Sequence, residues 1–223
     1  MAAMADAAKS PEAIPPPTVE PLPRPPPPPG ALDATEVDRE LLRRLRKGDE
    51  RAFAELIRRY QDRIHDLAYR MLGNRQEAED LAQEIFVAVY KNLGQFRGDS
   101  KLSTWIYRVA KNHCLNRIVY LRRHGSGRTG ELEDGHEPDG DPGVGAPDRA
   151  LERRERQALV QRALAELDEA QRMVVVLRDI EGLDYDEIVV VLEEPLGTVK
   201  SRLHRARAAL AKVVARLEAE EAR

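Results

Sequence analysis

The chain has 223 residues, 34% of them charged and 4% aromatic, a balance that points to helices rather than sheet and suffices for one or two modest domains. A formal net charge of -3 excludes a uniformly basic nucleic-acid binder, so any such activity needs its cations concentrated on one element. Cys114 is the single cysteine, which excludes an internal disulfide framework and fits a reducing cytoplasmic setting.

Residues 1–10 carry neither a basic n-region nor an apolar h-region, and the densest apolar runs, 173–177 and 188–192, are too short to span a bilayer. Neither export nor direct membrane insertion is expected. Residues 1–33 form a proline-rich tail ending in the run 25–29, where lost backbone donors favour an extended, disordered segment. It is either a docking segment for a proline-recognising domain or a solvated tail, and no anchor pattern selects the first.

A first helical block is expected over 36–123. Ala78, Leu81, Ala82, Ile85, Val89 and Leu93 recur at helical spacing and form an apolar stripe, with Asp80, Gln83, Glu84 and Val87 on the opposite face. Gly73-Asn74 and Gly94 bracket this helix. The loop Phe96-Arg97-Gly98-Asp99-Ser100-Lys101-Leu102 follows, and then a helix over 103–122 that buries Ile106, Val109, Ala110, Cys114 and Leu121. The same wheel groups Trp105, Arg108, Asn112, Asn116 and Arg123 on its other side, a mixture of ring, amide and cation suited to nucleic acid.

From 124 to 148 glycines alternate with carboxylates, and such a segment buries too little apolar surface to offset its ordering entropy. It reads as a flexible acidic linker to a second helical block over 149–223. There Asp168 can cap a helix running through Ile180 to a stop at Gly182, and Asp184 with Glu187 forms a capping-box start for a short helix, 185–192. Glu193-Glu194-Pro195 makes a turn, and a second helix begins near Leu196. It carries Lys200, Arg202, His204, Arg205 and Arg207, with no acidic residue between Leu196 and Lys212. Two helices across a short turn, the second basic, form a helix-turn-helix signature whose second helix would enter a major groove. The expected fold is therefore all-α: two small helical domains joined by a flexible linker, the C-terminal one containing the helix-turn-helix.

Tyr185-Asp186-Glu187-Ile188 followed by Pro195-Leu196-Gly197-Thr198-Val199-Lys200-Ser201-Arg202-Leu203-His204-Arg205-Ala206-Arg207 resembles region 4 of extracytoplasmic-function (ECF) sigma factors. The first block independently resembles region 2, through Glu77-Ala78-Glu79-Asp80-Leu81-Ala82-Gln83-Glu84-Ile85-Phe86, then Phe96-Arg97-Gly98-Asp99-Ser100, then Ser103-Thr104-Trp105-Ile106-Tyr107-Arg108-Val109-Ala110-Lys111-Asn112. The resemblance implies a bacterial transcription initiation factor that is not an enzyme, with core RNA polymerase, promoter DNA and an anti-sigma protein as partners and no cofactor or metal.

Residue by residue, it implies that Asp80, Gln83 and Glu84 meet the polymerase beta-prime coiled coil, while region 4 meets the beta flap. Phe96, Arg97, Asp99, Ser100, Leu102, Trp105, Arg108 and Asn112 correspond to the part that captures a base flipped from the minus-ten element. Trp105 either touches DNA or bridges the loop to the helix. Tyr185, Thr198, Lys200, Ser201, Arg202, His204, Arg205 and Arg207 correspond to the minus-thirty-five reader. The linker either mimics nucleic acid inside polymerase or acts as a spacer. Two positions depart from the family pattern: Val189, where alanine is usual, and Glu193, where glycine is usual and a left-handed conformation would cost about 1 kcal/mol.

Two other classes remain. A hydrolase or transferase lacks any Ser-His-Asp, phosphate-loop or metal spacing here, with His113 and Cys114 pointing to different sides of a helix. A stand-alone helix-turn-helix regulator leaves the first block unexplained.

Overall fold

The computed structural model describes residues 34–124 and 147–221. The proline-rich tail expected over 1–33, and all but the ends of the linker expected over 124–148, lie outside the described residues. Within them the fold is all-α. The first half holds α1 (Ala34–Arg46), α2 (Glu50–Leu72), α3 (Arg75–Asn92), a 3-10 turn (Leu93–Gln95) and α4 (Leu102–Arg123). The second holds α5 (Pro147–Ala165), α6 (Glu169–Val175), α7 (Tyr185–Leu192) and α8 (Leu196–Glu221).

The helix ends follow from local chemistry. Asp49 begins α2 by accepting from the N–H groups of Arg51 at 2.9 Å and Ala52 at 3.3 Å. Gly73, left-handed at φ 74°, ends α2 by donating to the Tyr69 carbonyl at 2.8 Å, and Asn74 caps α3 through the Glu77 N–H at 2.9 Å. A stop and a start on adjacent residues fold α2 and α3 into a tight antiparallel pair. α4 closes over them, burying Ile106, Ala110 and Cys114 against Leu67, Met71, Leu81 and Ile85. Each fully buried aliphatic side chain contributes roughly 1.5–3 kcal/mol by leaving water.

In the second half Asp168 caps α6 through the Gln171 N–H at 2.8 Å. The helix then widens into a π-turn (Val176–Ile180), with the Glu181 N–H reaching the Val176 carbonyl at 2.9 Å. Asp184 and Glu187 form the reciprocal capping box, at 2.8 and 2.9 Å. Glu193 ends α7 at φ 59°, ψ 38°, the only non-glycine with positive φ among the described residues. α7 and α8 pack through Ile188, Val191, Val199 and Leu203, all buried.

The two halves also pack on each other. α4 lies against α7, and α2 lies against α5 and α6, so one apolar cluster runs through both. Side chains of the second half satisfy carbonyls at the end of α2: Arg172 donates to Met71 at 2.6 Å and Gln161 to Tyr69 at 3.1 Å.

Candidate polymerase and nucleic-acid interfaces

The α3 stripe faces the core and leaves Asp80, Gln83 and Glu84 exposed, as the sequence periodicity requires. With Val87, Lys91, Asn92, His113 and Arg117 these residues line an open groove between α3 and α4. Arg117 donates to Glu77 and Glu84, both at 2.6 Å. Burial works against the Arg117 charge, but its hydrogen bonds to these two carboxylates outweigh it and hold the pKa above the usual guanidinium value. Val87 and Tyr90 are exposed on the same helix, Tyr90 held edge-on by Phe53 at 4.8 Å. An acidic face edged with exposed apolar side chains is a docking surface rather than a pure charge patch. Tyr90 escaped the sequence reading because only its exposure marks it.

The loop before α4 divides. Arg97 and Asp99 are exposed and Ser100 is half-buried, whereas Phe96 and Leu102 are buried. Trp105 is only 6% exposed, which corrects its grouping on the outer face with Arg108, Asn112, Asn116 and Arg123. The physical reason is that the loop folds back over the start of α4. The Phe96 ring lies 5.4 Å from the indole, and Arg46 of α1 pins the Phe96 carbonyl at 2.8 Å. Asn112, Asn116 and Arg123 are exposed and Arg108 is half-buried. Lys111, not selected from sequence, is buried beside them.

On α8, Lys200, Ser201, His204 and Arg205 are exposed and Thr198 is half-buried at its start. Arg202 and Arg207 are turned aside. Arg202 pairs with Glu194 at 2.6 Å, and Arg207 grips Asp179 with both arms, one at 3.0 Å. The hydrogen bond to Asp179 raises the Arg207 pKa further. These two arginines therefore brace the motif, and the outward cations are Lys200 and Arg205. Tyr185 lies between Arg178, 4.6 Å from its ring centroid, and Lys200 at 5.5 Å.

Charged contacts also cross between the halves. Lys101 meets Glu187 at 2.9 Å, Lys111 and Arg108 meet Glu193 at 3.5 and 3.9 Å, and Arg122 pairs with Glu169. Arg63 reaches the Glu181 carboxylate at 3.2 Å, and the Tyr107 hydroxyl donates to the same group. Among the described residues no cluster of three or more potential metal ligands occurs, and no helix is long and apolar enough to cross a membrane.

With this geometry in place, the comparisons with known proteins agree. The family model "Sigma-70 region 2" matches residues 56–126 and "Sigma-70, region 4" matches residues 157–210. The RNA polymerase sigma-H factor of Pseudomonas aeruginosa is 40% identical over 182 residues, covering 80% of this chain and 94% of its own length. The ECF RNA polymerase sigma factor SigW of Bacillus subtilis is 39% identical, covering 77% of this chain and 93% of its own. The solved structure of CnrH in complex with the cytosolic domain of CnrY superposes with a TM-score of 0.58 at 26% identity, covering 82% of this chain and 97% of that one. RpoE of Bartonella quintana, solved with the anti-sigma factor NepR, gives a TM-score of 0.57 at 20% identity, covering 73% of this chain and 96% of that one, which supports the fold.

The chain belongs to the sigma-70 family of RNA polymerase sigma factors, within the ECF group. It is a sigma factor that directs promoter recognition in transcription initiation, and these matches indicate no catalytic activity. A stand-alone regulator is not favoured, because the region 2 match accounts for the first half that such a reading leaves without a role.

Proposed function

We propose that the chain works in the cytoplasm by binding core RNA polymerase and carrying it to a two-part promoter. In this reading 36–123 is region 2, 124–148 is a tether and 149–223 is region 4. Asp80, Gln83 and Glu84 meet the beta-prime coiled coil across the α3–α4 groove, and region 4 meets the beta flap. The single observation that carries the reading is the partition of charge between the matched regions. Region 2 offers the exposed Asp80, Gln83 and Glu84 of α3, with Val87 and Tyr90 exposed on the same helix, while region 4 offers a helix whose exposed cations stand free of acids.

On that helix, Lys200 and Arg205 with Ser201 and His204 read or hold the minus-thirty-five element. Thr198 at the helix start favours a phosphate, where unpaired N–H groups concentrate positive potential. Arg202 and Arg207 contribute by holding α8 in place, and Tyr185 by packing against Lys200. At the minus-ten element the exposed Asn112 amide can pair with the edge of an extruded base, while Arg97, Asp99, Ser100 and Arg108 line its approach. Phe96, Leu102 and Trp105 shape this site from beneath. No bond is made or broken by the chain; melting draws on binding energy alone. An anti-sigma protein is a further partner, in line with the complexes in which CnrH and RpoE were solved.

In vitro transcription with bacterial core polymerase on a genomic promoter library tests this. RNA starts that depend on the chain, and weaken with Asn112→Ala or Arg205→Ala, are expected. Specific duplex binding by the chain alone, without chain-dependent starts, would overturn the reading.

A further inference from the structure

We propose that the proline-rich segment before α1 docks on α3 of its own chain, its prolines on Val87 and Tyr90 and Arg24 against Asp80, so that polymerase has to displace it. The inference rests on the sigma-factor reading, which gives this face of α3 to polymerase, and adds a built-in competitor for the same surface.

The receiving surface is a continuous strip. Asp80, Gln83, Glu84, Val87 and Tyr90 are exposed at helical spacing along one side of α3. Val87 is 52% exposed and Tyr90 57%. The Phe53 ring holds Tyr90 edge-on at 4.8 Å, so the phenol stands ready in the solvent at little cost in side-chain freedom. Proline-rich segments dock on aromatic side chains presented in this way, because a run of prolines favours the extended form before it binds and loses little entropy on docking. At the other end of the strip, Glu84 is held by Arg117 at 2.6 Å. The Asp80 carboxylate takes a hydrogen bond from the Gln76 amide at 3.4 Å and pairs with no cation among the described residues. The strip therefore offers an aromatic end and an acid that lacks a cation.

The segment Pro21-Leu22-Pro23-Arg24-Pro25-Pro26-Pro27-Pro28-Pro29 offers the complement. Arg24 is the single cation between Ser10 and Asp38, so one charge sets the register. On α3 the seven residues from Asp80 to Val87 rise about 10 Å. From Arg24 to Pro27 an extended proline run covers about 9 Å, and the long arginine side chain makes up the rest.

The point of departure also fits. α1 runs antiparallel to α2, Arg44 pairing with Glu55 at 2.8 Å and Asp38 with Arg59 at 2.9 Å. Its start therefore lies beside the middle of α2, about 15 Å along that helix from Phe53. The seven residues from Pro27 to Ala34 reach up to about 23 Å, enough to cover this offset together with the width of a neighbouring helix. A segment tethered so closely meets α3 at an effective concentration on the order of 1 mM, which no diffusing competitor in the cell matches.

The test compares the affinity of bacterial core RNA polymerase for the full chain and for a chain beginning at residue 31, which keeps every described residue. Removal of residues 1–30 should tighten binding about tenfold, because apparent affinity scales with the fraction of chains whose α3 is bare. Arg24→Glu in the full chain should recover part of that gain, and Glu12→Gln, outside the proline run, none. A docked fraction of this size implies that the detached segment binds with a dissociation constant on the order of 0.1 mM. A fluorescein-labelled peptide of residues 15–33 should bind the shortened chain in that range, and Tyr90→Ser should weaken it about fivefold. Asp80→Lys should weaken it as well; both positions are exposed, so the fold is kept. Equal polymerase affinity with and without residues 1–30 overturns the proposal, as does a peptide that fails to bind at about 1 mM or binds regardless of Tyr90 and Asp80. Dimers that form only when residues 1–30 are present would hand the segment to a second copy and overturn it too. If polymerase binds neither form, the sigma-factor reading falls, while the peptide titration still decides the docking.

Discussion

Two buried side chains settle what can and cannot be asked of single residues. Trp105 packs on Phe96 under the loop, so Trp105→Ala empties a large site and should cost about 3–5 kcal/mol. Chemical denaturation of the free chain measures this. A loss of that size assigns any transcription defect of the variant to folding, whereas an unchanged midpoint would return the indole to the DNA face. Cys114 is fully buried, and burial pushes its thiol pKa up from 9.0 to about 12. The folded state therefore holds the thiol proton more tightly than the unfolded chain, a contribution to stability present below pH 9 and lost as the pH rises toward 12. At about pH 8 an alkylating reagent should modify Cys114 at the rate of chain opening rather than at the rate of a free thiol. Immediate full modification of the native protein would contradict this burial.

Helices whose ends are written in neighbouring residues were legible in the sequence, and those set by distant packing were not. Asn74, Asp168, Asp184 and Glu187 act within three residues of themselves, so α3, α6 and α7 begin where capping chemistry puts them. The break at Glu193 and the restart at Leu196 follow from Pro195 in the same local way. The burial of Trp105 depends on Phe96, itself fixed by Arg46 fifty residues earlier, and no helical wheel contains that information. The same holds on α8, where periodicity shows that Arg202 and Arg207 are basic but not that acids on other elements claim them. At this scale Asp184→Ala should lower the stability of the helix-turn-helix by about 1 kcal/mol through loss of its cap, read from thermal unfolding. Arg207→Ala should also lower the thermal midpoint, by freeing Asp179, while Arg205→Ala should leave the midpoint alone and weaken promoter binding. Equal thermal effects from the two arginine variants would contradict their division into brace and reader.

The arrangement of the whole molecule brings together residues 74 and 118 positions apart at Glu181, where its chemistry centres. That carboxylate sits 5% exposed in the seam, where the Tyr107 hydroxyl and the Arg63 guanidinium reach it from the first half. Burial raises its pKa above 4.5; the hydrogen bond from Tyr107 and the charge of Arg63 oppose the rise without cancelling it, and Asp66 adds to it. The packed form thus keeps the Glu181 proton to a higher pH than a chain in which the halves have parted. Its contribution favours packing in full below 4.5 and fades as the pH climbs through the raised value. Glu181→Gln keeps an acceptor oxygen for both partners but cannot ionise, so it removes this one dependence and leaves every other titrating group in place. Measured from about pH 5 to about pH 8, the midpoint of the variant minus that of the wild type should grow as the pH rises. A difference that stays constant across the range would mean that Glu181 ionises in the seam as freely as in water, and that the seam is open to solvent at neutral pH.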